Sequence, residues 1–195
     1  MDTGIFDGLA SGCDDMFRRR LPVIVGRMAK DHFQDNFRLG GFVNGGLHAW
    51  KPVSRFSSGA AGSYGPLLSG RNHLFSSIEY RPSDYRVVIG NYLPYAPAHN
   101  RGAEIPRTDN MRRYAWHRFF RACGVTENEA RETRRLKTAP AAVSANPEAG
   151  FWKGMALSKK STVKIPQRQF IGESVELTGA IQARIESEIS KLFNI

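Results

Sequence analysis

His99-Asn100, followed by Arg101-Gly102, is the group in this chain whose side chains could do chemistry. An imidazole can move a proton and, among other ligands, hold a divalent metal, as in nucleases of the His-Asn-His kind. Acid-base work requires a second oriented group, and metal-assisted hydrolysis requires several ligands at short spacing. Neither is supplied. His73 and His117 stand far away in different contexts, and His32 falls on an apolar helical stripe where a histidine is a core or boundary residue. The sequence therefore predicts no catalytic and no metal-binding residue, and gives His99 a structural role, its ring bonding backbone at the end of a strand. A DNA-binding protein or metal-dependent nuclease using His99-Asn100 is kept as the alternative, and an RNA-binding accessory protein as a third reading.

Other chemistries are excluded in turn. Gly59, Gly62 and Gly65 suggest a phosphate cradle, but the Lys-Ser or Lys-Thr that completes a P-loop is missing. Cys13 and Cys123 are too few and too far apart for a zinc site or a disulfide framework, which points to a reduced, intracellular setting. No cofactor is implied. The charge is the stronger signal: the net is +10, and residues 101–164 carry 14 basic against 6 acidic side chains. Arg112, Arg113, Arg118 and Arg121 alternate with Tyr114, Trp116 and Phe120, and Lys159-Lys160 follow. Interleaved cations and rings fit a nucleic-acid surface; they fit equally an amphipathic helix with a solvated basic face.

The elements that must position these groups follow from periodicity. At 195 residues the chain can bury roughly 70% of its unfolded surface. Leu67–Gly102 reads as a short helix capped by Ser69, a hairpin turning at Pro82-Ser83-Asp84 between Ile78, Tyr80 and Tyr85, Val87, Ile89, and a return loop. Before it, a helix starts at Pro22 and ends near Gly40-Gly41, and Phe42–Pro66 is a long loop anchored by Trp50. After it come helices over Asp109–Cys123 and from Thr126 to about Lys137, then a mobile Pro/Ala/Ser loop over Thr138–Gly150. Ile165–Ile195 reads as a terminal helix with Leu177, Ile181, Ile185, Ile189 and Leu192 in one stripe.

The implied fold is α+β: a small antiparallel sheet packed by an N-terminal and a C-terminal helix, with a basic helical and loop insertion. Residues 1–20 form a mobile or docking arm, 21–102 with 165–195 a single core domain, and 103–164 the insertion. No stretch approaches the roughly 20 apolar residues of a membrane span, and the acidic start lacks the pattern of a secretory signal.

The order of motifs resembles a family. Asp31-His32-Phe33 to Phe37, Trp50-Lys51-Pro52, Leu68-Ser69-Gly70-Arg71 before Ser76-Ser77-Ile78, Tyr95-Ala96 with His99-Asn100 and Gly102, and Ile165-Pro166-Gln167-Arg168-Gln169-Phe170-Ile171-Gly172 together are similar to the phage virion morphogenesis proteins. These are the Mu-like and P2-like tail-completion group, related in role to head-tail joining proteins. The resemblance covers most of the chain outside the N-terminal arm and the insertion.

It implies a structural subunit without catalytic site or cofactor, made in the bacterial host cytoplasm and located in the virion. The subunit would form a homo-oligomeric ring, sixfold, at the head-tail junction as tail-completion, neck or tail-terminator protein. Its partners would be itself, neck or portal-adaptor proteins and tail-tube proteins, with transient non-specific contact with genomic DNA and no membrane. Trp50, Tyr95, His99, Gly102, Pro166, Arg168 and Phe170 would be its assembly and structural positions. Arg112, Arg113, Arg118, Arg121, Lys159 and Lys160 would face DNA or a partner.

Overall fold

A computed structural model describes residues 3–52, 65–125 and 146–193. It is an α+β protein with small antiparallel sheets and helices at both ends. The described residues fall into two compact units. One gathers those of Met1–Lys51, Tyr64–Gly102 and Gln167–Ile195, the other those of Pro52–Ser63 and Ala103–Pro166.

The first unit begins with α1 (Thr3–Asp15), a five-residue π-helical turn (Met16–Arg20) and α2 (Leu21–Leu39). Asp15 and Arg20 keep helical dihedrals, so these form one rod. The expected N-terminal arm is thus helical from Thr3, and Pro22 lies inside the rod instead of opening it. A proline there removes the N–H that would bond the Arg18 carbonyl and presses its ring on that carbonyl. The chain answers with the wider π turn. The orphaned Arg18 carbonyl accepts a hydrogen bond from the Tyr85 N–H at 3.1 Å.

The segment expected to be all loop contains a hairpin, β1 (Gly41–Val43) with β2 (Leu47–Ala49), in which Phe42 faces His48. Its Asn44-Gly45-Gly46 turn runs through φ values of +65° and +120° at the two glycines, and Gly46's value is one that only glycine adopts easily. Gly59 and Gly62 lie outside the described residues. Next comes α3 (His73–Ser76), a single turn that starts after Asn72; Ser69 is not its cap, since the Asn72 side chain instead accepts from the Ser69 N–H.

The main hairpin pairs β3 (Ile78–Ser83) with β4 (Arg86–Asn91), Ile78 facing Asn91 and Ser83 facing Arg86. The turn is therefore Asp84-Tyr85, one step later than the turn residues suggested. Pro82 is accommodated within a strand because a two-stranded ribbon has free edges. Tyr85 takes φ +57°, costly for a non-glycine residue. Its N–H on Arg18, its hydroxyl on Asp14 and the neighbouring Arg18–Asp84 ion pair at 2.7 Å hold it there. Val87 and Ile89 still alternate inward as the period predicts.

The return loop is partly helical, as α4 (Ala96–Arg101). The last helix, α7 (Val175–Phe193), starts ten residues later than the periodicity suggested, after a strap from Gln167 to Ser174 that is neither helix nor strand. Ser174 caps it, accepting from the Leu177 N–H at 3.2 Å. The core of this unit joins Ala29, Phe33 and Phe37 of α2 with Phe42, Trp50, Leu74, Ile78, Ala96 and Phe170.

The second unit opens and closes on a ribbon of β5 (Ala103–Pro106) and β6 (Thr162–Ile165), Ala103 facing Ile165. Ile165 is thus a strand residue. Between them lie α5 (Asp109–Ala122), as expected, and α6 (Pro147–Leu157) where a loop was expected to run to Gly150. Asn146-Pro147-Glu148 is a helix start: the Asn146 side chain accepts from the Glu148 N–H, Pro147 sits in the first turn and Glu148 meets the positive helix end. The expected helix from Thr126 lies outside the described residues.

Candidate functional site

Arg168 and Phe170 of the positions that carry the resemblance lie on the strap, and Trp50 and His99 bond to it. Its backbone has no ladder or helix to satisfy it, so other groups must. Arg168 N–H donates to the His99 carbonyl at 2.8 Å. Trp50 Nε1 donates to the Gln169 carbonyl at 2.8 Å. Asn100 Oδ1 accepts from the Phe170 and Ile171 N–H groups at 2.8 and 3.0 Å, and its Nδ2 donates to the Ile171 carbonyl at 3.0 Å. Asn36, fully buried on α2, donates to the Phe170 carbonyl at 3.2 Å and accepts from the Val43 N–H at 3.1 Å.

Arg168 is buried and reaches across the unit, its Nε and Nη2 donating to the Lys51 carbonyl at 3.1 and 2.9 Å. Phe170 is buried against Phe37, ring centroids 5.1 Å apart, and Phe37 meets Trp50 edge-on at 5.5 Å. Tyr95 is exposed, precedes α4 and sits edge-on to the His99 ring at 6.1 Å. Gly102 ends α4 at φ +76°. Trp50, His99, Arg168 and Phe170 therefore meet, Tyr95 and Gly102 flank them, and Pro166 is assigned to the other unit. Beside the strap lies a cleft of about 460 Å³ whose walls include Phe42, His48, Trp50, Lys51 and Gln169.

Sequence reasoning missed Asn36 and undervalued Asn100. Both bond backbone far away in the chain, and such a bond leaves no local pattern. It also missed Glu176, whose carboxylate accepts from the Gly45 and Gly46 N–H groups at 3.1 and 2.9 Å. Its own backbone N–H and those of Gly46 and Gly45 hold this carboxyl below the ordinary glutamate value.

In the second unit the basic residues divide. Arg118 pairs with Glu148 at 2.7 Å and lies over the Trp152 ring at 5.1 Å, so it serves the α5–α6 contact. That pairing and the Trp152 N–H lower the Glu148 carboxyl below its ordinary value. Arg112, Arg113, Arg121, Lys159 and Lys160 are exposed. The rings interleaved with them turn inward: Phe119 and Phe120 are buried, with Trp116 and Trp152 packed on them. Among the described residues, no group of three or more His, Cys, Asp or Glu is placed to hold a metal ion.

An α+β chain with a side-chain-bonded strap is the class this geometry defines. Comparison with known protein families, with curated proteins and with solved structures finds no match.

Proposed function

We propose that the chain is a structural subunit of a tailed-bacteriophage virion that assembles as a ring at the head-tail junction, with itself and with neck and tail-tube proteins as partners. The observation that carries this reading is the use made of Trp50, His99, Arg168 and Phe170. Positions taken from the resemblance converge on one strap, and there they hold backbone and fill core. Asn100, the neighbour a nuclease would need, has its amide spent on the same strap.

A subunit of a ring also needs apolar surface left for its neighbours. On α7, Leu177, Ile181, Ile185, Ile189 and Leu192 are each only half-buried, and Val175 and Phe193 are exposed. Heterologous contacts close into a ring when the rotation per subunit closes. Among the described residues, no helix is long and apolar enough to cross a membrane.

Light scattering on purified protein, alone and mixed with the tail-tube and neck proteins of the same phage, tests the reading. A closed oligomer is expected in one of these conditions. A monomer in all of them, together with infectious particles made without this chain, would overturn it.

A further inference from the structure

β2 presents an open edge. The Trp50 N–H donates to the Gly40 carbonyl and the Asn44 N–H to the Gly46 carbonyl, both at 2.9 Å. Facing pairs in an antiparallel hairpin alternate between bonded and non-bonded. Those two bonds and the register therefore make Phe42–His48 a bonded pair, and Leu47 and Ala49 turn their N–H and carbonyl groups away from β1. No described residue bonds to those groups.

The opposite edge of this hairpin is occupied, since the Val43 N–H donates to Asn36 at 3.1 Å. Proline and charged side chains blunt a strand edge against further pairing. The strands of the other two ribbons carry them: Arg81 and Pro82 on β3, Arg86 on β4, Glu104 and Pro106 on β5, and Lys164 on β6. Leu47-His48-Ala49 contains no proline and no Lys, Arg, Asp or Glu, and Leu47 is 52% exposed.

The cleft of about 460 Å³ has His48, Ala49, Trp50 and Lys51 among its walls, and across from them Gln167 and Gln169 of the strap. Bonds from Trp50 Nε1 to the Gln169 carbonyl and from Arg168 to the Lys51 carbonyl tie the two sides together. The Gln167 and Gln169 carboxamides bond to no described residue, and Lys51 is exposed and forms no ion pair with one. No described carboxylate lines the cleft, and that of Glu176 at the hairpin turn is held by the Gly45 and Gly46 N–H groups.

The main chain defines the occupant. A polyanion could meet only the donors of the edge, whereas an extended peptide meets donors and acceptors alike, as in strand addition. Residues that face each other across a strand pair point to the same side. A residue opposite His48 would therefore share the side of Phe42 and the cleft, where Lys51 and two carboxamides can receive a carboxylate. Residues opposite Leu47 and Ala49 would share the other side, beside the exposed leucine. We infer that the β2 edge and its cleft bind an extended segment of another protein as an added strand, apolar at alternate positions and acidic between them.

The test is fluorescence anisotropy of a labelled peptide of alternating Glu and Val with the full chain, at about 150 mM salt. It should bind, and three changes to it should each weaken binding by about tenfold or more: Lys in place of Glu, the same residues reordered as Glu-Glu-Val-Val, and N-methylation of alternate amides. Ala49→Pro removes an edge N–H that no β1 bond uses and should lose about as much. Lys51→Glu should weaken the Glu-Val peptide and strengthen the Lys-Val one, which needs no backbone change. Lys159→Ala/Lys160→Ala in the second unit should stay within about twofold of the parent. Overturning results are no binding of the Glu-Val peptide at about 1 mM, equal binding of the reordered or N-methylated peptide, or a preference that Lys51→Glu does not move. Light scattering separates this from the ring reading: a ring that Ala49→Pro breaks would give the edge to a second copy and sink the inference, and a ring or a monomer that Ala49→Pro leaves unaltered keeps it.

Discussion

One amide, that of Asn100, holds three main-chain groups of the strap, and removing it should be among the costliest changes in the first unit. Asn100→Ala strands two N–H groups and a carbonyl in a part-buried place. At about 1–3 kcal/mol per unsatisfied group, with some rehydration, the loss should be about 2–4 kcal/mol, read as a shift in urea midpoint with unchanged slope. Asn100→Asp keeps the acceptor and should lose less. A catalytic His99 predicts something else, namely DNA cleavage with added Mg²⁺ or Mn²⁺ that His99→Ala abolishes; none is expected. Glu176 makes a pH-dependent contribution. Its folded-state value is depressed below the ordinary 4.5, so its stabilisation is present above that pH and is lost as pH falls through the depressed value. Glu176→Gln should therefore melt lower than the parent at pH 6 to 7, with the gap closing toward pH 3, and a gap independent of pH would contradict the grip on Gly45 and Gly46. Neither the Asn100 role nor the Glu176 role was legible in the sequence as a site. His99 drew attention because imidazole is chemically versatile, whereas the amide beside it was the residue with the work to do.

Elements that obey local rules were legible, and those set by remote contacts were not. α5 and the end of α2 fall where stripe and stop residue put them, because propensity and burial agree there. The rod could not be read through Pro22, since the donor that repairs the Arg18 carbonyl comes from a hairpin tip in a later part of the chain. The position of that tip was off by a step for the same reason: Tyr85 accepts a left-handed backbone because Asp14 and Arg18 hold it. Two glycines test how closely these elements meet. A Cβ on Gly26 of α2 would stand 2.3 Å from Tyr80 Cδ2 and 2.9 Å from Val87 Cγ2, both on the hairpin. Gly26→Ala should thus lose about 1–3 kcal/mol to overpacking, outweighing the roughly 1 kcal/mol that alanine gains in a helix. Gly179 on α7 has nothing within 4 Å, so Gly179→Ala should gain up to about 1 kcal/mol. Denaturant melts of the two variants should move in opposite directions. Movement of both upward would mean that α2 and the hairpin do not pack this closely.

At the scale of the whole molecule, the α+β class was readable because its long stripes and its strand alternation are local signals. The separate composition of residues 103–164 was readable too, from its charge and from the break in motif order. What composition could not show is how that segment leaves and rejoins the chain. β5 and β6 are antiparallel, and Ala103 faces Ile165, so the ends of the insertion are neighbours. Two chain ends held side by side can be joined by a two-residue turn without pulling on either. Replacing Glu104–Lys164 by Asn-Gly should therefore leave the first-unit core of Phe33, Phe37, Trp50 and Phe170 able to fold, with a cooperative melt and native-like circular dichroism. Under the ring reading, light scattering should return the same number of subunits as the parent, because the half-buried stripe of α7 remains. A shortened chain that folds but stays monomeric would move the subunit contacts into the insertion. An aggregated product would mean that the first unit relies on the second for its core.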